Sequence, residues 1–170
     1  MSKAKQVSLC AMLVALALAL SYTELFLPLQ LLVPLPGIKL GLANIVTLFA
    51  LYTLGTRQAF LILIPRCVLG AMFGGGITGL LFSLWGGLLA LGVMSLARKI
   101  PLFSIFGVSI LGAAAHNVGQ ILACMVLMRS VFVAAYLPYL LLVAIATGLL
   151  TGTLTAGVIQ HTRPFRRNQS

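Results

Sequence analysis

ITGLLFSLWGGLLALGVMSLA, residues 77–97, holds no charged side chain over its 21 positions and runs directly into Arg98-Lys99-Ile100-Pro101. A bilayer core requires about 20 apolar residues of helix. The stretch therefore reads as a transmembrane helix stopped at a basic, proline-broken junction. Five further runs of this kind lie outward from it, at approximately 7–27, 39–55, 58–75, 103–128 and 134–160. Pro28, Pro34, Pro36 and Gly37 end the first, Gly55-Thr56-Arg57 the second and Gly74-Gly75-Gly76 the third, with a break near Arg129-Ser130 before the last. The fold predicted is an all-α membrane protein, a six-transmembrane-helix bundle forming a single integral domain over 1–170 with a basic tail at 161–170. Lys3 and Lys5 followed by an apolar run resemble a signal peptide. That run continues to about Leu20 without a clean cleavage site, so it reads as the first retained helix.

Composition supports the same class. Hydrophobic residues make up 61% of the chain and charged ones 7%, against about half and about a quarter in soluble domains. The surplus must face lipid. Eleven Lys and Arg stand against one acidic residue, Glu24. A single carboxylate excludes an Asp-rich Mg²⁺-diphosphate site and a paired-carboxylate mechanism built by this chain alone. No enzymatic role and no cofactor are expected.

The placement of the basic residues sets the topology. With six spans both termini share one side, which carries Lys3, Lys5, Arg57, Arg98, Lys99, Arg163, Arg166 and Arg167, while Lys39 and Arg129 fall opposite. The positive-inside rule makes the richer side cytoplasmic. Basic ends facing anionic head groups account for most of the charge without nucleic acid. Cys10, Cys67 and Cys124 each sit inside an apolar run without metal or CxxC spacing and read as small hydrophobes.

A short list of polar residues remains that lipid does not explain. Arg66 lies near mid-depth in the third span, where a guanidinium costs roughly 2.5–3.5 kcal/mol on insertion scales. Pro65 deprives the Leu61 carbonyl of its helical donor. Arg66 then bonds freed carbonyls or Glu24, or it faces a ligand. Glu24, near the outer end of the first span, is an interfacial carboxylate, a partner of Lys39 or Arg66, or a contact for a cationic group on the ligand. Lys39 opens the second span, where it can snorkel to the interface, and Asn44 lies deeper, where an amide must hydrogen-bond. His116 and Gln120 share a helix face in the fifth span, beside Asn117, and Gly112 and Gly119 leave that face open to close neighbours. No metal site is expected, since neither Cys nor a second intramembrane His has suitable spacing.

The depths of these residues agree. Glu24, Lys39, Asn44 and Gln120 fall in the outer half, and Arg66 and His116 fall near the middle. Four helices thus supply one polar layer open to the outside. Its formal charge is +1, or +2 if Arg129 reaches in, which suits a carboxylate or phosphate held by an Arg fork and amide donors. Small residues recur separately at Ala11, Ala15 and Ala19, at Gly75 and Gly79, and at Gly148 and Gly152. They imply close packing within the bundle or a docking face for another membrane subunit.

These residues carry a family resemblance. Pro36-Gly37-Ile38-Lys39-Leu40-Gly41-Leu42-Ala43-Asn44-Ile45-Val46-Thr47-Leu48 resembles the hallmark of the bacterial Gx transporter family. That family is also known as heptaprenyl diphosphate synthase component I and is related to the substrate-binding S components of energy-coupling-factor (ECF) transporters. Glu24 with Pro28, Arg66 with Leu69-Gly70, Ser83-Leu84-Trp85-Gly86-Gly87 and His116-Asn117-Val118-Gly119-Gln120 extend the resemblance. So do the Tyr139 region, Thr147-Gly148 and Thr151-Gly152, and the likeness covers nearly the whole chain.

The resemblance implies an S-component-like fold in the bacterial plasma membrane. The Ala11, Ala15, Ala19 face would pack on a transmembrane coupling subunit driven by paired ATPases. The chain itself has no Gly-rich phosphate loop ending in Lys-Ser/Thr. Two functions follow: a binding subunit capturing a small anionic solute from outside, or a non-catalytic membrane component of heptaprenyl diphosphate synthesis serving a soluble synthase partner. For the first, the site comprises Glu24, Lys39, Asn44, Arg66, His116, Asn117 and Gln120.

Overall fold

A computed structural model describes residues 3–24 and 41–167, with side chains up to 162. The helices are α1 (Lys3–Thr23), α2 (Asn44–Thr53), α3 (Thr56–Gly70), α4 (Gly76–Ala97), α5 (Ile105–Met128) and α6 (Leu137–Arg167). A π-turn, Ala71–Gly75, joins α3 to α4, and a 3₁₀ segment, Val131–Tyr136, leads into α6. No strand occurs among the described residues. Four stretches are long and apolar enough to cross a membrane: Lys3–Thr23, Thr56–Ala97, Ile105–Met128 and Val131–Thr162. The second, of 42 residues, folds back on itself, because Gly74 (φ 124°) and Gly76 (φ 58°) take backbone angles that other residues rarely adopt. Leu63 and Arg66 of α3 consequently lie against Gly87 of α4.

The ends of the elements have local causes. The Ser104 hydroxyl accepts a hydrogen bond from the Gly107 N–H (3.3 Å) and caps α5. Arg129, at φ 48° and ψ 36°, ends that helix in a left-handed residue. Pro138 sits in the first turn of α6, where a missing N–H removes nothing.

Three helix bounds differ from those of the predicted stretches. The stretch predicted at 39–55 is helical only from Asn44 to Thr53 among the described residues, about 15 Å of rise and half a hydrocarbon core. Gly41, at φ 81°, precedes that helix in a conformation a helix cannot include. The stretch predicted at 134–160 begins as 3₁₀ and becomes α-helix only at Leu137. The tail predicted from 161 instead continues α6 to Arg167. Lys39, the prolines at 28, 34 and 36, and the end of the first predicted span lie outside the described residues.

α5 is the central helix, packed between α4 and α6. Missing side chains make that packing close. A methyl on Gly119 would stand 2.5 Å from the Trp85 carbonyl oxygen, and one on Gly148 would stand 2.5 Å from Ile110 Cα. Gly112 likewise admits the Met94 side chain. Membrane helices associate through such backbone approaches because lipid supplies no hydrophobic drive between them. Gly148 and Gly152 therefore serve the bundle itself, the latter against Phe106 and Ser109. α1 is peripheral and packs on α3, with Leu18 beside Gly70, and its buried residues are Leu13 and Ala17. Ala11, Ala15 and Ala19 point outward, as do Leu61, Leu96, Leu142 and Leu154 elsewhere.

Candidate functional site

The turn leading into α2 is the floor of the polar cluster. Asn44 N–H bonds the Gly41 carbonyl at 2.8 Å and Ile45 N–H bonds the Leu42 carbonyl at 3.0 Å. The helix has no side-chain N-cap. Glu24, directly after α1, accepts a hydrogen bond from the Leu42 N–H. A carboxylate is favoured there by the positive end of the helix dipole. α1 is thereby tied to the start of α2 by the one acidic residue in the chain.

His116 of α5 fills the space above this turn. A methyl on Gly41 would come within 3.1 Å of His116 Cδ2 and 2.9 Å of Asn44 Nδ2. A methyl on Gly86 of α4 would come within 2.8 Å of His116 Cε1 and Nδ1. The imidazole thus sits between two glycines that leave room for it. The neighbouring Gly87 does the same for Arg66, whose Nη2 would lie 3.3 Å from an added methyl. Gly86 and Gly87 form a two-sided cradle on α4, with His116 against one and Arg66 against the other, about 100° apart around the helix axis.

Burial raises the energetic stakes. Glu24, Asn44, Arg66 and His116 are 3–6% exposed, and Gln120, one turn along α5 from His116, is 0% exposed. Asn44 Nδ2, Asn44 Oδ1 and Arg66 Nε have no hydrogen-bond partner among the described residues. Each such group costs about 1–3 kcal/mol if it stays unsatisfied, so the bundle's packing must offset several kcal/mol here. Side chains that expensive are retained where something polar meets them.

The predicted site residues divide accordingly. Asn44 and His116 meet at Gly41, with Glu24 bonded to the adjoining Leu42 amide, and Gln120 continues the His116 face, while Arg66 packs against Gly87 of α4. Asn117 turns away: its Nδ2 donates to the Leu140 carbonyl at 2.7 Å and fastens α5 to α6. Adjacent residues on a helix point about 100° apart, so Asn117 and His116 cannot serve the same face. Lys39 lies outside the described residues. No group of three His, Cys, Asp or Glu that could hold a metal occurs among the described residues.

A family description now joins this geometry. Residues 13–158 match the family described as heptaprenyl diphosphate synthase component I. The chain belongs to that family. No curated protein and no solved structure matches it. Within this family member, several polar contacts had no single-residue signal in the sequence. Ser109 Oγ and Thr151 Oγ1 share a buried hydrogen bond of 2.6 Å, and Thr155 Oγ1 donates to the Ile45 carbonyl at 3.4 Å. The Arg98 guanidinium donates to the Leu51 carbonyl and lies 5.3 Å from the Tyr52 ring centroid, capping the negative end of α2. The Thr147, Thr151, Thr155 spacing of four was the available clue to a polar stripe on α6.

Proposed function

We propose that the protein is a membrane-embedded binding subunit of an ECF-type uptake system, taking up a small anionic solute from the outer side of a bacterial plasma membrane. The observation that carries this reading is the set of buried polar side chains around Gly41, Gly86 and Gly87, among which Asn44, beside His116, and Arg66, against Gly87, present unpartnered atoms. A guanidinium fork with amide donors matches a carboxylate or phosphate, and Lys39 would add a second cation. In this reading the chain crosses the membrane six times with both termini cytoplasmic, and it binds rather than catalyses. The solute reaches the cluster when the bundle opens, and coupling and ATPase subunits drive its release inward. The outward-facing Ala11, Ala15 and Ala19 are the face on which a coupling subunit would pack.

Native mass spectrometry of the detergent-purified protein tests this reading. A bound anion of fixed mass is expected in the wild type and lost from Arg66→Ala and from His116→Ala with Gln120→Ala, each still inserted and helical. Undiminished binding in both variants would remove the cluster from the function.

The family match favours a second reading, a non-catalytic membrane component serving a soluble prenyl diphosphate synthase. Co-purification of such a synthase, with altered product chain length on deletion, would establish it over the first. Co-purification of ATPase and coupling subunits would do the reverse.

A further inference from the structure

α1 and α3 run parallel, with Leu18 against Gly70, and between them lies an open groove of about 740 Å³. Lys3, Gln6, Arg57 and Gln58 surround one end, and the walls beyond are apolar, passing Ala11, Ala15 and Leu61 to Leu18 and Leu69. On the α1 side Ala11 and Ala15 are the small residues of the wall, set among Val7, Cys10, Val14 and Leu18.

The groove's two cations have no acidic side chain beside them. The single acidic residue, Glu24, lies at the other end of α1, about 31 Å of helix from Lys3. An anion that pairs with Lys3 and Arg57 in the groove is therefore a ligand rather than an acidic side chain. The length of the groove says which kind. From Lys3 to Leu18 the helix rises about 22 Å, and half of a bilayer of about 40–45 Å, head groups included, is the same distance. A soluble anion would leave the apolar walls unused, and a partner helix would bring no anion unless it carried an acid at this depth.

We propose that the α1–α3 groove is a binding site for one acidic phospholipid of the leaflet at the basic end. Its phosphate lies between Lys3 and Arg57, with the Gln6 and Gln58 amides as further donors, and one acyl chain runs down the wall to Leu18 and Leu69. The site goes beyond the binding-subunit reading and does not use the buried cluster. A subunit that packs on Ala11 and Ala15 would do so by displacing this lipid.

The test is lipid retention in native mass spectrometry, after release of the full chain from nanodiscs holding equal phosphatidylglycerol and phosphatidylcholine. One retained phosphatidylglycerol is expected, preferred about thirtyfold, since each basic side chain near a membrane surface contributes roughly fivefold. Lys3→Gln with Arg57→Gln should bring the preference close to one. If that double variant fails to insert, Arg57→Gln alone should lower it about fivefold. Ala15→Phe, which closes the groove and keeps both cations, should lose the retained lipid of either kind. Lys99→Gln, at the same end of the bundle but outside the groove, should change nothing. Equal retention of both lipids by the wild type overturns the proposal. So does a preference that survives removal of both cations, retention that survives Ala15→Phe, or a loss in Lys99→Gln as large as in Arg57→Gln.

Discussion

Gly86→Ala is the substitution that most directly probes the cradle. The added methyl would stand 2.8 Å from His116 Cε1 and Nδ1 and 3.0 Å from the His116 carbonyl oxygen, so the ring must retreat by about 0.6 Å to reach ordinary contact at 3.4 Å. On the far side the ring faces the Gly41 turn, where a methyl would stand 3.1 Å from Cδ2, so the retreat has only the room that the missing Gly41 side chain leaves. Overpacking of this kind costs about 1–3 kcal/mol, less a gain of up to about 1 kcal/mol from alanine's better helix propensity. His116→Ala alone removes a packed ring and should cost about 2 kcal/mol. In the double variant the clash with the ring disappears and only the carbonyl contact persists. The pair should therefore be more stable than the sum of the single changes by about 1–2 kcal/mol. Equilibrium unfolding in mixed detergent micelles, followed by helical circular dichroism, measures all four corners of the cycle. Additivity within about 0.5 kcal/mol would refute the claim that Gly86 exists to admit the imidazole.

Gly119→Ala should be worse than Gly86→Ala, costing about 3 kcal/mol or more, because its methyl meets backbone atoms of Trp85 and Gly86 that no rotamer change can move. Gly79→Ala faces open space and should stabilise by up to about 1 kcal/mol; the same unfolding assay reads both. Asn117→Ala should cost about 1–3 kcal/mol through the lost bond to Leu140, with hydrogen exchange rising where α5 meets α6. Glu24→Ala should loosen the start of α2 and raise exchange at the Leu42 amide, whereas Glu24→Gln, which still offers a carbonyl oxygen to that N–H, should largely restore protection.

How much of this was legible in the residues can be judged from individual cases. Residues 77–97 announced a membrane helix because the transfer of each side chain into hydrocarbon depends on that side chain and its depth. The glycines at 74–76 announced a reversal for a similarly local reason. Counting helical rise put Arg66 and His116 near mid-depth and Asn44 in the outer half of the predicted spans. The alanine repeat on α1 did not reveal its direction, because Leu13 and Ala17 are as compatible with an inward face as their neighbours. The same ambiguity hid Asn117's bond to α6.

The chain's own residues settled that it is helical, apolar enough for a bilayer, rich in basic residues and equipped with costly polar groups inside its apolar runs. Only the tertiary arrangement decided which of those groups meet, that Gly86 and Gly87 make room for His116 and Arg66, and that Glu24 binds a backbone amide. The division has a physical cause. Hydrophobicity and backbone preference act residue by residue, whereas a contact between helices depends on rotation about each axis, about 100° per residue, and on how closely small side chains let two backbones approach.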